Sequence, residues 1–249
     1  FAEVLTKRAA VSWLDMGGKW FAHPAILAEI GREAAVMKQS LPNRKPFAPE
    51  VGVFVDPESF YWMRSTEANA ALVLHQIVTL PQSGVPWDFC LLSDIAHARM
   101  PDYKLYLFLN AFRIDDIRRE AIIRKLKRNN ATALFAYAPG YFGSDGASLE
   151  NMRALTGIRI AKDDKEGQPQ ILLDTKTMLA QGLSFSEPVG AKELTVAPVF
   201  YADDPDAQVV GRLVGSHRAG LVVKPMDGWT SLYSAAMTLP PSLLRRIAR

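Results

Sequence analysis

The apolar positions of this chain change period several times, and each change marks a predicted element. The stretch before residue 10 reads as a helix. Val11-Ser12-Trp13-Leu14-Asp15-Met16 is a short, mostly apolar run closed by Gly17-Gly18, which predicts a strand. Ile26, Leu27, Ile30, Ala34 and Met37 then recur at helical spacing, with Pro24 in the first turn, where its missing N–H is not needed. Three prolines in the nine residues from Leu41 to Pro49 end that helix and predict a linker.

Past the linker the rhythm is strand, helix, strand, helix. Val51–Val55 followed by Asp56-Pro57 predicts a buried strand, and 65–83 a helix with Ala68, Leu72, His75 and Val78 in register. Val85–Leu92, Tyr103–Leu109 and Thr132–Tyr137 read as three more strands, the last broken by Pro139-Gly140. Asp115 or Asp116 caps a helix whose inward residues are Ile117, Ala121, Ile122 and Leu126. Its end, with Arg124, Lys125, Lys127 and Arg128, matches the negative helix pole and reads as a solvated face. Near-continuous apolar strands alternating with amphipathic helices predict an α/β fold: a doubly wound, mainly parallel sheet covered on both faces. After about residue 160, shorter extended runs at 170–174, 193–201, 207–214, 220–225 and 229–235 predict extra C-terminal β strands. Met226-Asp227-Gly228 marks a hairpin between the last two.

Composition narrows the function classes. A length of 249 residues allows one large domain, or one with a small appendage. A net charge of +3 gives no nucleic-acid footprint, and no apolar run approaches the roughly 18 residues of a membrane span. Neither a nucleic-acid nor a membrane partner is therefore expected. The single Cys90 excludes an internal disulfide framework, and leaves the compartment open. Phe1 falls inside a helical pattern and Ser242–Arg249 is amphipathic without a cap, so the chain is expected to be a piece of a longer protein.

A doubly wound fold can carry a nucleophile on the strained turn after a central strand. Here that turn reads Tyr137-Ala138-Pro139-Gly140-Tyr141-Phe142-Gly143, without Cys, Ser or Asp. Cys90 lies inside an apolar strand and reads as a buried, inert thiol, which disfavours a thiol hydrolase or glutaminase. No catalytic residue is assigned. His23, His75, His97 and His217 are scattered, so no metal site and no cofactor is expected. The glycine-rich 140–146 stretch matches no phosphate loop and reads as a mobile loop. Asp163–Gly167 and Asp203–Asp206 lack calcium-loop spacing and read as solvated turns. Trp13, Asp15 and Trp20 around the Gly-Gly bend suit a carbohydrate site, since aromatic faces stack on sugar rings and a carboxylate accepts hydroxyl hydrogen bonds. The same residues also suit a Trp-rich packing corner.

Two stretches together resemble a known arrangement. Residues 1–41, carrying Ser12–Phe21 and the amphipathic helix, look like the last β/α unit of a glycosidase (β/α)8 barrel. Residues 42–49 read as the linker. Residues 50–160 resemble the β-galactosidase trimerisation domain of glycoside hydrolase family 42 and its relatives, and 50–249 are expected to form one such assembly domain with a C-terminal β extension. The residues that carry this are Val51–Ser59, Gly84–Asp88, Tyr103–Asn110, Tyr137–Tyr141, Glu150–Ile158 and Gly228–Ser234 with Leu239-Pro240. The resemblance implies a class I glutamine amidotransferase-like, flavodoxin-like fold without its nucleophile. It implies a non-catalytic part that assembles a homo-oligomer, a trimer in the family, and helps wall an active site. In a retaining glycosidase two carboxylates do the chemistry; the resemblance puts them upstream of Phe1. Trp13, Asp15 and Trp20 would then bind the carbohydrate substrate of the full-length protein. The alternative is a stand-alone carbohydrate-binding or protein-interaction module without activity.

Overall fold

The computed structural model describes residues 1–43, 45–183 and 187–249; Arg44 of the predicted linker lies outside the described residues. The chain divides into two compact units, 1–48 and 49–249. In the first, α1 (Ala2–Thr6) and α2 (Pro24–Ser40) flank an irregular segment, and no residue of α2 is buried. The His23 side chain caps α2 by accepting the Ala25 N–H at 3.2 Å. The strand predicted over Val11–Met16 does not form. Among the described residues of this unit there is no second strand to pair with, and an unpaired strand leaves its backbone groups without partners.

The second unit runs β1 (Val51–Val55), α3 (66–83), β2 (Trp87–Leu91), β3 (Leu105–Phe108), α4 (Asp116–Arg128) and β4 (Thr132–Ala136). It continues through the small strands β5 (Phe142–Gly143) and β6 (Gly146–Ala147), then α5 (Leu149–Thr156), β7 (Ile160–Asp163), β8 (Ile171–Leu173) and β9 (Val199–Ala202). β10 (Gln208–Leu213), β11 (Ala219–Met226), β12 (Trp229–Ser234) and α6 (Pro241–Ile247) complete it. The structure is α/β with a mostly parallel central sheet plus antiparallel strands. Its parallel part has the order β2-β1-β3-β4-β12, and β11, β10 and β8 extend it antiparallel beyond β12. The order reverses between β1 and β3, where an open α/β sheet leaves a crevice beyond its strand ends.

Both faces are covered, and strand parity assigns each residue to one of them. Val51, Val53, Val55, Leu107 and Leu134 pack with Leu72, Leu80 and Leu243 from α3 and α6. Phe54, Tyr106, Phe108 and Phe135 point the other way, with Ile122 and Leu126 of α4. Their rings stack across three strands: Phe54 on Phe108 at 5.3 Å, and Phe108 on Phe135 at 4.9 Å.

Several elements differ from the sequence expectation. In α3 the turn Ala70–His75 is π-helical, so the buried positions fall at Ala68, Leu72, Gln76 and Leu80, four residues apart. The wider turn rotates His75 and Val78, expected inside, out to solvent. Asp115 is the cap of α4, accepting the Arg118 N–H at 2.7 Å; Ile117, in the first turn, is exposed. Lys125 is not on a solvated face. Its ammonium is buried and donates to Met100 O at 2.5 Å and Asp102 Oδ1 at 2.8 Å. The 140–146 stretch forms the β5–β6 hairpin. An unanticipated helix, α5, follows, capped by Ser148 and closed by Gly157 at φ +71°. The extended run at 193–201 shrinks to β9, since Pro198 has no N–H to give a ladder. The acidic turn at 203–206 is only partly solvated. Asp204 accepts from Lys224 Nζ at 2.8 Å and from the Arg159 and Asp206 N–H groups, with its side chain 5% exposed.

Candidate functional site at the carboxyl edge of the sheet

The reversal between β1 and β3 would hold a ligand if it were open. It is closed by the chain's own polar groups. Asp56 and Asn110, each the first polar residue after an apolar strand, pair across the gap: Asp56 N–H donates to Asn110 Oδ1 and Asn110 Nδ2 to Asp56 O, both at 2.8 Å. Ser59, fully buried, donates to Asp56 Oδ2 at 2.6 Å. Its oxygen in turn accepts the Phe112 N–H at 3.1 Å and the Arg113 N–H at 3.3 Å. A pair of backbone donors that could cradle an anion is thus filled by a serine hydroxyl.

The turn after β4 keeps a strained backbone without a reactive group. Tyr137 has φ +60°, a conformation that costs a non-glycine residue about 1–2 kcal/mol. Its surroundings hold it there. Its N–H donates to Ser234 O at 2.8 Å, its carbonyl accepts the Tyr233 hydroxyl at 2.8 Å, and its own hydroxyl donates to Pro198 O at 2.9 Å. Burial pushes the Tyr137 phenol well above the usual tyrosine range, so it is a fixed donor rather than a titrating group.

From this turn an aromatic belt runs outward. Tyr137 packs edge-on to Phe200 (5.3 Å), Phe200 meets Tyr141 (4.9 Å), Tyr141 meets Phe142 (5.1 Å), and Phe142 meets Trp62 (4.7 Å). The Arg113 guanidinium lies 5.8 Å from the Trp62 ring centre, and Glu58 pairs with both Arg113 (3.5 Å) and Arg118 (3.7 Å). The belt begins in the core and ends at Trp62, half in solvent, and Tyr61, 91% exposed.

The other candidate residues lie in the first unit. Trp20 N–H donates to Asp15 Oδ2 at 3.1 Å, which closes the bend over Gly17-Gly18. A Cβ on Gly17 would sit 2.9 Å from Trp20 Cε2, so the indole covers the glycine itself. The ring partner of Trp13 is Phe21, edge-on at 5.6 Å. Asp15 and Trp20 are brought together, and Trp13 (46% exposed) and Trp20 (57%) both keep ring surface in solvent.

Cys90 is buried, its Sγ 3.3 Å from the Tyr103 hydroxyl, which donates to Asp88 Oδ2 at 3.2 Å. Burial raises the thiol pKa despite the Tyr103 contact. Among the described residues no group of His, Cys, Asp and Glu could hold a metal.

A doubly wound sheet whose crevice and strand-end turn are filled by structural side chains is the class of domain these features define. Solved structures of similar fold include β-galactosidases. The chain aligns with the enzyme from Rahnella sp. R3 at 13% identity and TM-score 0.63, covering 89% of this chain and 33% of that one. The enzyme from Bacillus circulans sp. alkalophilus aligns at 15% and 0.62, over 90% and 34%. A catalytic mutant of a GH42 β-galactosidase from G. stearothermophilus aligns at 13% and 0.58, over 89% and 32%. The likeness is one of fold, and the chain spans about a third of the length of each. No family model matches the sequence, and no curated protein does.

Proposed function

We propose that this chain is the C-terminal, non-catalytic part of a β-galactosidase-like glycoside hydrolase. Residues 1–41 are the last β/α unit of its barrel. Residues 50–249 are a glutamine amidotransferase-like domain that assembles a homo-oligomer, a trimer by family resemblance, and helps wall the active site. The carrying observation is the fold likeness, which spans nine-tenths of this chain but a third of each enzyme. Two features of the chain support it. The strand-end turn holds Tyr137, whose hydroxyl is committed to Pro198 O, where a hydrolase of this shape needs a nucleophile. In the first unit α2 buries none of its residues, as expected of a helix that packs on barrel strands it lacks here. Trp13, Asp15 and Trp20 lie at the mouth of that barrel and contact the saccharide. The catalytic carboxylates belong to other strands of the same barrel.

The test is to assay the purified chain on an aryl β-galactoside and to sediment it over a range of concentrations. No release of the phenol, together with self-association, is the expected result. Turnover by the chain, or a monomer at every concentration, overturns the reading.

A further inference from the structure

An open sheet edge offers backbone N–H and C=O groups to any extended chain, so folded proteins shield their outermost strands. Among the described residues three strands of the main sheet, β2, β7 and β8, have a strand neighbour on one side only. Two of them are protected. β8 is covered by the chain itself, since Ile171 and Val189 exchange N–H···O bonds in both directions at 2.8 Å. β7 carries Lys162 and Asp163, each in an ion pair, and charged side chains of this kind blunt an edge. β2 has neither device. Trp87–Leu91 keeps five consecutive pairs with β1 without a bulge, and it contains no lysine or proline; Asp88 is its one charge.

The ladder decides which groups face outward. Val51 N–H donates to Pro86 O, so the even-numbered residues of β2 bond to β1, while Phe89 and Leu91 turn their backbone groups away. The Phe89 N–H donates to the carboxylate of its own neighbour, Asp88, at 3.0 Å, where a further strand would offer a carbonyl. The Phe89 and Leu91 side chains share one face of the sheet and are each 43% exposed. On the other face, a groove under the edge is lined by Asp88, Asp94, His97 and Arg99.

The edge itself specifies what fits it. A strand edge presents donors and acceptors alike, and the same edge turned antiparallel by a twofold axis normal to the sheet presents the matching set. Such an axis keeps each face on its own side, so Phe89 and Leu91 of one copy meet those of the other. The groove holds both signs of charge, Asp88 and Asp94 with Arg99, and therefore selects neither a strongly acidic nor a strongly basic peptide. With the axis at Phe89, the middle residue, the two strands overlap along their whole length.

We infer that β2 is a twofold contact between two copies of this chain, through which the sheet runs on from one to the other. Each Phe89 N–H leaves Asp88 and donates to the Phe89 carbonyl of the second copy. This goes beyond the assembly role proposed above: a trimer closes through heterologous contacts, whereas a self-complementary edge joins chains in even numbers.

Disulfide cross-linking of the whole chain reads the contact. Cys90→Ala removes the one native thiol, and Phe89→Cys is added to it. Opposed Cα atoms of a hydrogen-bonded antiparallel pair lie about 5.5 Å apart, inside the roughly 4.4–6.8 Å that a disulfide spans. Mild oxidation is expected to give a covalent dimer at dilutions where Leu172→Cys in the same background, exposed on β8, stays single. With Cys90 retained, Phe89→Lys sets two ammonium groups opposite each other and should raise the dimer dissociation constant at least about tenfold in sedimentation. Circular dichroism checks that each variant folds. Cross-linking at residue 89 no faster than at 172, or association unchanged by Phe89→Lys, overturns the contact. A threefold mass that survives Phe89→Lys, without a cross-link at residue 89, removes the twofold contact and leaves the assembly role standing. A monomer at every concentration removes both.

Discussion

Ser59→Ala is the sharpest test of the closed crevice. The hydroxyl takes part in three hydrogen bonds and the side chain is fully buried. Alanine fills nearly the same space, so no cavity opens and no water can replace the oxygen. Phe112 N–H keeps a second acceptor in Asn110 O at 2.8 Å, so its loss is small. Asp56 Oδ2 loses a bond from a hydroxyl to a carboxylate in a residue only 2% exposed, worth about 1.5–3 kcal/mol. Arg113 N–H loses its acceptor at a half-buried position, which adds about 1 kcal/mol. The expected destabilisation is about 3 kcal/mol. For a cooperative unit of this size that lowers the melting temperature by about 6–12 °C. Urea unfolding followed by tryptophan fluorescence, with calorimetry alongside, reads the effect. A loss below about 1 kcal/mol, with an unchanged slope in urea, would refute the idea that this hydroxyl closes the strand ends.

Two further predictions concern charge and thiol chemistry. Burial by itself would raise the Asp204 carboxyl, but Lys224 and the Arg159 and Asp206 N–H groups outweigh it and hold it below the usual carboxylate range. Its stabilising contribution is therefore complete above the unfolded carboxylate value of about 4 and is lost as pH falls through the lower native value. Asp204→Asn should lower the melting temperature at pH 7 and flatten its fall between pH 5 and 3; an equally steep fall in the variant contradicts this. Cys90, buried and with its thiol pushed up, should resist an aromatic disulfide reagent at pH 8 and react with one equivalent in urea. Rapid reaction of the native chain would show that the strand opens.

The central architecture was legible because its strands are apolar on both faces and its helices are not. Val51–Val55, Leu105–Phe108 and Thr132–Ala136 stand where their residue types place them. What escaped depended on partners far along the chain or on a local change of pitch. His75 and Val78 fit a period of 3.6 residues, and a single π turn removes them from the core. Val11–Met16 has strand composition but no neighbour to pair with in its unit. Lys125 looked like one more surface cation, and only the carbonyls of Met100 and Pro101, with Asp102, explain its burial. The candidate site was legible in part. The missing nucleophile after β4 is a matter of residue identity. The Ser59 plug and the aromatic belt are not, since each joins residues some 50 or more positions apart, as in Ser59 with Phe112 and Trp62 with Phe142. The local signal was modest: a polar residue at the end of each apolar strand, Asp56 and Asn110.

The pairing of β12 with β4 has a consequence for how the domain is made. Thr132–Ala136 pairs on one side with Leu105–Phe108, but finds its second neighbour only in Trp229–Ser234, after about 90 intervening residues. Closing so long a loop is entropically slow, and long-range pairing of this kind lowers folding rates. During synthesis β4 is a hydrophobic edge bounded on one side only, a template for any other extended chain. Of the parallel strands β1, β3 and β4, β4 waits longest along the chain for its second neighbour, and the nascent chain is expected to be most prone to aggregate while that edge is open. That time is set by the translation of the 137–228 excursion, not by the stability of the finished fold.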